Sequence, residues 1–109
     1  MSKRTSFTSA LSLLLLHMDA NKDRPVLDFV KRSKEEQKRL YEEGKTECDG
    51  ERQVSRHQVG LAADVYLLTP EGGLVDWKTV PGKVQEYHTY WEVLGGKPVV
   101  PWDLGHFEF

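Results

Sequence analysis

Cysteine is almost missing from this chain. Cys48 is the only one among 109 residues, which excludes an internal disulfide and a multi-cysteine zinc cluster. An excess of charge of one sign is missing as well. Fifteen Lys and Arg are interspersed with 17 Asp and Glu, for a formal charge of −2, so no basic patch marks a nucleic-acid partner. No apolar run is long enough to span a bilayer, so stable membrane insertion is not expected. There is no internal repeat, no low-complexity tract and no linker that would divide domains. Residues 1–109 therefore read as one small domain, acting as a monomer, with one modest core. Such a domain holds a stability margin of roughly 5–15 kcal/mol.

The first twenty residues, "MSKRTSFTSALSLLLLHMDA", faintly resemble an export signal. Ser12 interrupts the apolar run, however, and no clean small-x-small cleavage site follows. Phe7, Leu11, Leu14, Leu15 and Met18 recur at helical spacing, which predicts a core helix over Ser6–Met18. A chain made without an export signal stays in the cytoplasm until another route carries it out.

After the polar turn "DANKDRP", "VLDFV" predicts a short strand. "RSKEEQKRLYEEGK" predicts a second helix. Ser33 and Glu36 have capping-box spacing, Gly44 ends the helix, and Gln37, Leu40 and Tyr41 form its inner face. "LAADVYLL" predicts a strand with Leu61, Ala63, Val65 and Leu67 on one face and Ala62, Asp64, Tyr66 and Leu68 on the other. "TPEGG" is a turn, and "LVDWK" is expected to return as the second strand of a hairpin. "PGKVQEYHTYWEVLGG" predicts a helix with Val84, Tyr87, Trp91 and Leu94 inward, ended by Gly95. "HFEF" alternates, with His106 and Glu108 on one face and Phe107 and Phe109 on the other. Helices packed with a small antiparallel sheet make an α+β fold.

Asp64 is the residue out of place, an acid inside an apolar strand. His57, Asp64 and His106 are a normal ligand set for one zinc ion, with a fourth position left for water. Residues seven apart on a continuous strand face opposite ways, so His57 and Asp64 converge only if the chain turns between them, for which Gly60 provides a break. The plainer alternative is a strand aspartate facing water beside histidines that are exposed or hydrogen-bonded. His17 and His88 lack this context, and His88, beside the apolar stripe of its helix, reads as structural. Asp103 lies three residues before His106. A carboxylate there can move a proton near a metal without ligating it, or it can simply bond its own turn.

These residues resemble a known pattern. "SRHQVGLAAD" is similar to the Ser-x-His-x-x-Gly-x-Ala-x-Asp motif of zinc D-alanyl-D-alanine carboxypeptidases and phage L-alanyl-D-glutamate endopeptidases. "DLGHFEF" resembles their Asp/Glu-x-x-His closing motif, and "KRSKEEQKRLYEEGK" resembles the segment that precedes both. The resemblance runs from about Phe29 onward and implies the hedgehog/DD-peptidase fold, with peptidoglycan stem peptide as substrate. By motif position it makes His57, Asp64 and His106 ligands of one zinc ion and Asp103 the general base. It places Arg32 on the substrate and the scissile carbonyl, and Ser55 in contact with substrate. Two features depart from the pattern: "GGKPVVPWD" makes a shorter approach to the closing motif, with Trp91 and Trp102 flanking it, and Arg32 follows Lys31 where relatives often carry an aromatic residue.

The resulting expectation is a zinc peptidase acting on the bacterial cell wall. An aspartate at position 103 resembles the phage endopeptidases, whereas the vancomycin-resistance dipeptidases use glutamate. A D-alanyl-D-alanine carboxypeptidase is the alternative within the class, and a module that binds zinc or wall peptide without cleaving it is the alternative outside it.

Overall fold

The computed structural model describes residues 2–28, 42 and 60–109. The expected helix ending at Gly44 and the loop after it lie outside these, apart from the helical Glu42. Among the described residues the protein is an α+β fold of two helices and a three-stranded antiparallel sheet.

Helix α1 spans Lys3–Ala20. It starts earlier than its apolar stripe because Ser2 caps it, with Oγ accepting from the Thr5 amide at 3.2 Å. Its end is closed by two backbone bonds, Lys22 N to Asp19 O at 2.9 Å and Asp23 N to Met18 O at 3.1 Å. These turn the chain directly into strand β1, Arg24–Leu27. β1 begins two residues before the expected strand, whose last two residues lie outside the described ones, and includes Pro25. Being at the sheet edge, it tolerates a residue that cannot donate a hydrogen bond.

The central strand β2, Ala62–Leu68, pairs with β1 from Arg24↔Leu68 to Leu27↔Val65. Its other edge pairs with β3, His106–Glu108, from Ala62↔Glu108 to Asp64↔His106. The expected hairpin return at Leu74–Lys78 forms only one bridge, Leu68↔Leu74. The chain then leaves the sheet because Asp76 caps a 3₁₀ turn over Trp77–Thr79. That turn carries the Trp77 indole inward, where Nε1 donates to the Val65 carbonyl at 3.0 Å.

Helix α2, Pro81–Val93, has proline in its first turn, where a missing N–H costs nothing. It ends as expected at Gly95, whose φ of +104° admits the left-handed cap. Gly95 N bonds Glu92 O and Gly96 N bonds Trp91 O, the paired closure of a Schellman motif.

One core joins these elements. Leu61, just before β2, and Ala63, Val65 and Leu67 of β2 join Phe7, Leu11, Leu14 and Met18 of α1 and Tyr87 and Trp91 of α2. Trp91 is fully buried and packs edge-on against Phe7 at 6.1 Å and Phe107 at 5.8 Å between ring centroids. Each such large side chain stabilises the fold by about 1.5–3 kcal/mol through removal of apolar surface from water. The opposite face of β2 is covered too: Ala62 is fully buried and Asp64 is 9% exposed. Among the described residues no helix is long and apolar enough to cross a membrane.

Candidate metal centre

Strand pairing builds the site. Asp64 occupies the middle of β2, and the β2–β3 register sets His106 directly across from it. The imidazole Nδ1 lies 3.2 Å from Asp64 Oδ1. Asp103 arrives on the turn that leads into β3. Its amide bonds Val100 O at 3.0 Å, and its carbonyl accepts from the His106 amide at 3.1 Å. That turn leaves the Asp103 carboxylate half exposed, with Oδ2 3.9 Å from His106 Nδ1. On the far side of the ring, Nε2 lies 3.9 Å from Glu108 Oε1.

The electrostatics follow from this crowding. Burial alone would lower the pKa of His106, but the bond to Asp64 and the charges of Asp64, Asp103 and Glu108 outweigh it and raise the value. Tyr66 shares the Asp64 face of β2. Burial, followed by the charges of Asp64, Asp28 and Asp103, pushes its phenol upward, so it stays protonated as a donor.

Asp64, Asp103 and His106 each offer one donor atom, all within 4.8 Å of one another, so the three could hold a metal ion. Donor chemistry sorts them further. Two ligands bound to one tetrahedral zinc at about 2.0–2.2 Å lie about 3.3–3.6 Å apart. The Asp64–His106 separation of 3.2 Å is close to that edge. The Asp103–His106 separation is 3.9 Å, so Asp103 sits somewhat farther from the imidazole than Asp64 does. Two carboxylate oxygens and one imidazole nitrogen are a donor set that suits a divalent metal ion.

Of the residues singled out in the sequence, Asp64, Asp103 and His106 come together. His57, Ser55 and Arg32 lie outside the described residues. Gly60, the expected break before the strand, has a φ of +75°. Two neighbours were assigned no role from the sequence, although period-two alternation carries the signal for both: Tyr66 follows Asp64 by two positions and Glu108 follows His106 by two.

A cleft of 190 Å³ opens beside Asp103, lined by Tyr66, Val75, Trp77, Lys78 and Trp102 among others. The Trp102 indole is 77% exposed at its rim, an apolar surface available to a ligand. Behind the site, His88 of α2 is buried, as its structural reading requires, and its Nε2 lies 2.7 Å from the Leu104 carbonyl. No protein-family model matches the chain, and no curated protein sequence matches it.

Proposed function

We propose that the chain is a zinc-dependent peptidoglycan peptidase of the hedgehog/DD-peptidase fold, cleaving stem-peptide amide bonds as an L-alanyl-D-glutamate-type endopeptidase. The observation that carries this reading is the cross-strand pair of Asp64 and His106 with the Asp103 carboxylate 3.9 Å from the same imidazole nitrogen. The two motifs that resemble the zinc peptidases, around His57–Asp64 and Asp103–His106, support it independently of that geometry.

In this reading Asp64 and His106 hold zinc together with His57. Zinc, when bound, supplies Lewis-acid activation of water near neutral pH. The chain's own residues do the rest. On binding metal, His106 would offer Nδ1, the nitrogen that lies 3.2 Å from Asp64 Oδ1, and would carry its ring proton on Nε2, 3.9 Å from Glu108 Oε1. Asp103 takes a proton from the attacking water at its carboxylate and delivers it to the departing amine nitrogen. Its partial exposure leaves it room to exchange that proton. The Arg32 guanidinium, always charged, balances the developing oxyanion, and Ser55 contacts the substrate. The cleft beside Asp103 takes substrate, with Trp102 at its rim. The presence of aspartate at position 103 favours the endopeptidase over a D-alanyl-D-alanine carboxypeptidase.

Digestion of defined muropeptides, with the new termini identified by mass spectrometry, tests the reading. A new amino-terminal D-glutamate is expected. Released D-alanine would instead identify the carboxypeptidase. A chain that binds zinc stoichiometrically and cleaves neither bond is a binding module, and the peptidase reading falls.

A further inference from the structure

His88 does more than fill space in the core. It is 3% exposed, and its ring lies flat on Phe107, with centroids 4.2 Å apart and planes at 5°. A phenylalanine or leucine would pack there as well, without burying two nitrogens. Nε2 donates to the Leu104 carbonyl at 2.7 Å, while Nδ1 is buried with no hydrogen-bond partner among the described residues.

Nε2 holds the turn carrying the site. Leu104 directly follows Asp103 and lies two residues before His106. The Asp103 carbonyl accepts from the His106 amide, and the Gly105 carbonyl accepts from the Val65 amide at 2.8 Å. Leu104 lies between them, and its carbonyl is met by a side chain from α2. The opposite side of the turn has no slack: a Cβ on Gly105 would meet Val65 O at 2.6 Å and Trp77 Nε1 at 2.7 Å. The turn is therefore clamped between β2 with Trp77 on one side and His88 on the other.

We propose that His88 is a positioning residue that sets the distance of the Asp103 carboxylate from the Asp64–His106 pair through the Leu104 carbonyl. The role rests on the peptidase reading above. Outer groups that orient a metal site commonly change affinity or activity by roughly 10–100-fold when removed.

Three variants of the full chain test it. His88→Phe keeps the stack on Phe107 and removes the donor. His88→Gln reaches Leu104 with its amide nitrogen, and His88→Asn is too short to do so. Each is measured for zinc affinity, for the visible spectrum of the cobalt-substituted protein, for kcat and KM on peptidoglycan, and for Tm. His88→Phe and His88→Asn are expected to lose roughly 10–100-fold in zinc affinity or kcat, with a shifted cobalt spectrum and KM little changed. His88→Gln is expected to recover the wild-type spectrum and most of the lost activity. If His88→Phe does not fold, the Gln and Asn pair decides the matter. Variants that lower Tm but keep wild-type zinc affinity, spectrum and kcat overturn the positioning role and leave the peptidase reading standing. Equal losses in His88→Gln and His88→Asn also overturn it. A wild-type chain that takes up no zinc overturns both.

Discussion

On the α2 side of β3, a histidine is held neutral in an apolar pocket; on the β2 side, another is held among three carboxylates. His88 and His106 are two views of what burial does to an imidazole. At His88 burial lowers the pKa, helped by the charge of His106 and only partly opposed by the Leu104 carbonyl and Glu92. At His106 burial acts in the same direction, but Asp64, Asp103 and Glu108 reverse it. Phe107, fully buried between them, belongs to the same three-residue strand as His106. Desolvation alone makes a histidine a piece of core, while desolvation beside fixed charge makes it a ligand or an acid–base group.

The comparison breaks most completely if His106 loses its ring. His106→Ala is expected to abolish stoichiometric zinc uptake, at least about a hundredfold in affinity, by removing a ligand rather than a neighbour; metal analysis after dialysis checks this. Next comes Asp103→Asn, which removes the proton acceptor without removing a ligand. Turnover should fall about 10²–10⁴-fold with zinc retained, and a variant that keeps zinc and full hydrolysis would refute the proton-transfer role.

Phe107→Ala should disturb both sides together. It opens a cavity against Trp91 and takes away the surface on which His88 stacks, costing about 3–5 kcal/mol in chemical denaturation. The smallest effect is on pH. Because the His88 pKa is lowered in the fold, its neutral form contributes stability above the unfolded value near 6.5. As pH falls below that value, the unfolded chain takes up the proton first and stability declines until the folded pKa is reached. In the metal-free protein, His88→Gln should flatten this acid limb of a urea-midpoint titration. An unchanged slope would show that burial does not hold His88 neutral. Tyr87 acts at the opposite extreme. Its phenol is pushed up to about 12, first by burial and then by its bond to Asp23. Stability that depends on it should therefore persist up to about pH 10 and fade between there and 12.

Local pattern carried much of the fold into view. The 3.6-residue stripes of α1 and α2, the alternation of β2 and β3, and the Gly95 stop are all set by neighbours within a few residues. The failures came where distant contacts overrode local preference. Pro25 reads as a turn residue, yet it sits in a strand because β1 is an edge. Leu74–Lys78 alternates like a strand, yet Asp76 caps a 3₁₀ turn and Trp77 finds the Val65 carbonyl. Within the site, Asp64 and His106 were each recognisable as candidates. Their spacing was not, since 42 residues separate them along the chain.

The sequence by itself determined which groups were available: one acid in an apolar strand, one histidine opposite two phenylalanines, one aspartate in the turn before it, and too little cysteine for a multi-cysteine cluster. It determined their faces as well, because strand alternation is a property of the backbone. Only the tertiary structure decided that β3 pairs with β2 in the register that sets His106 across from Asp64. Only it decided that α2 delivers His88 to the Leu104 carbonyl. Both depend on the antiparallel ladder and the shared core closing together, and those are energies of packing between segments far apart in the chain.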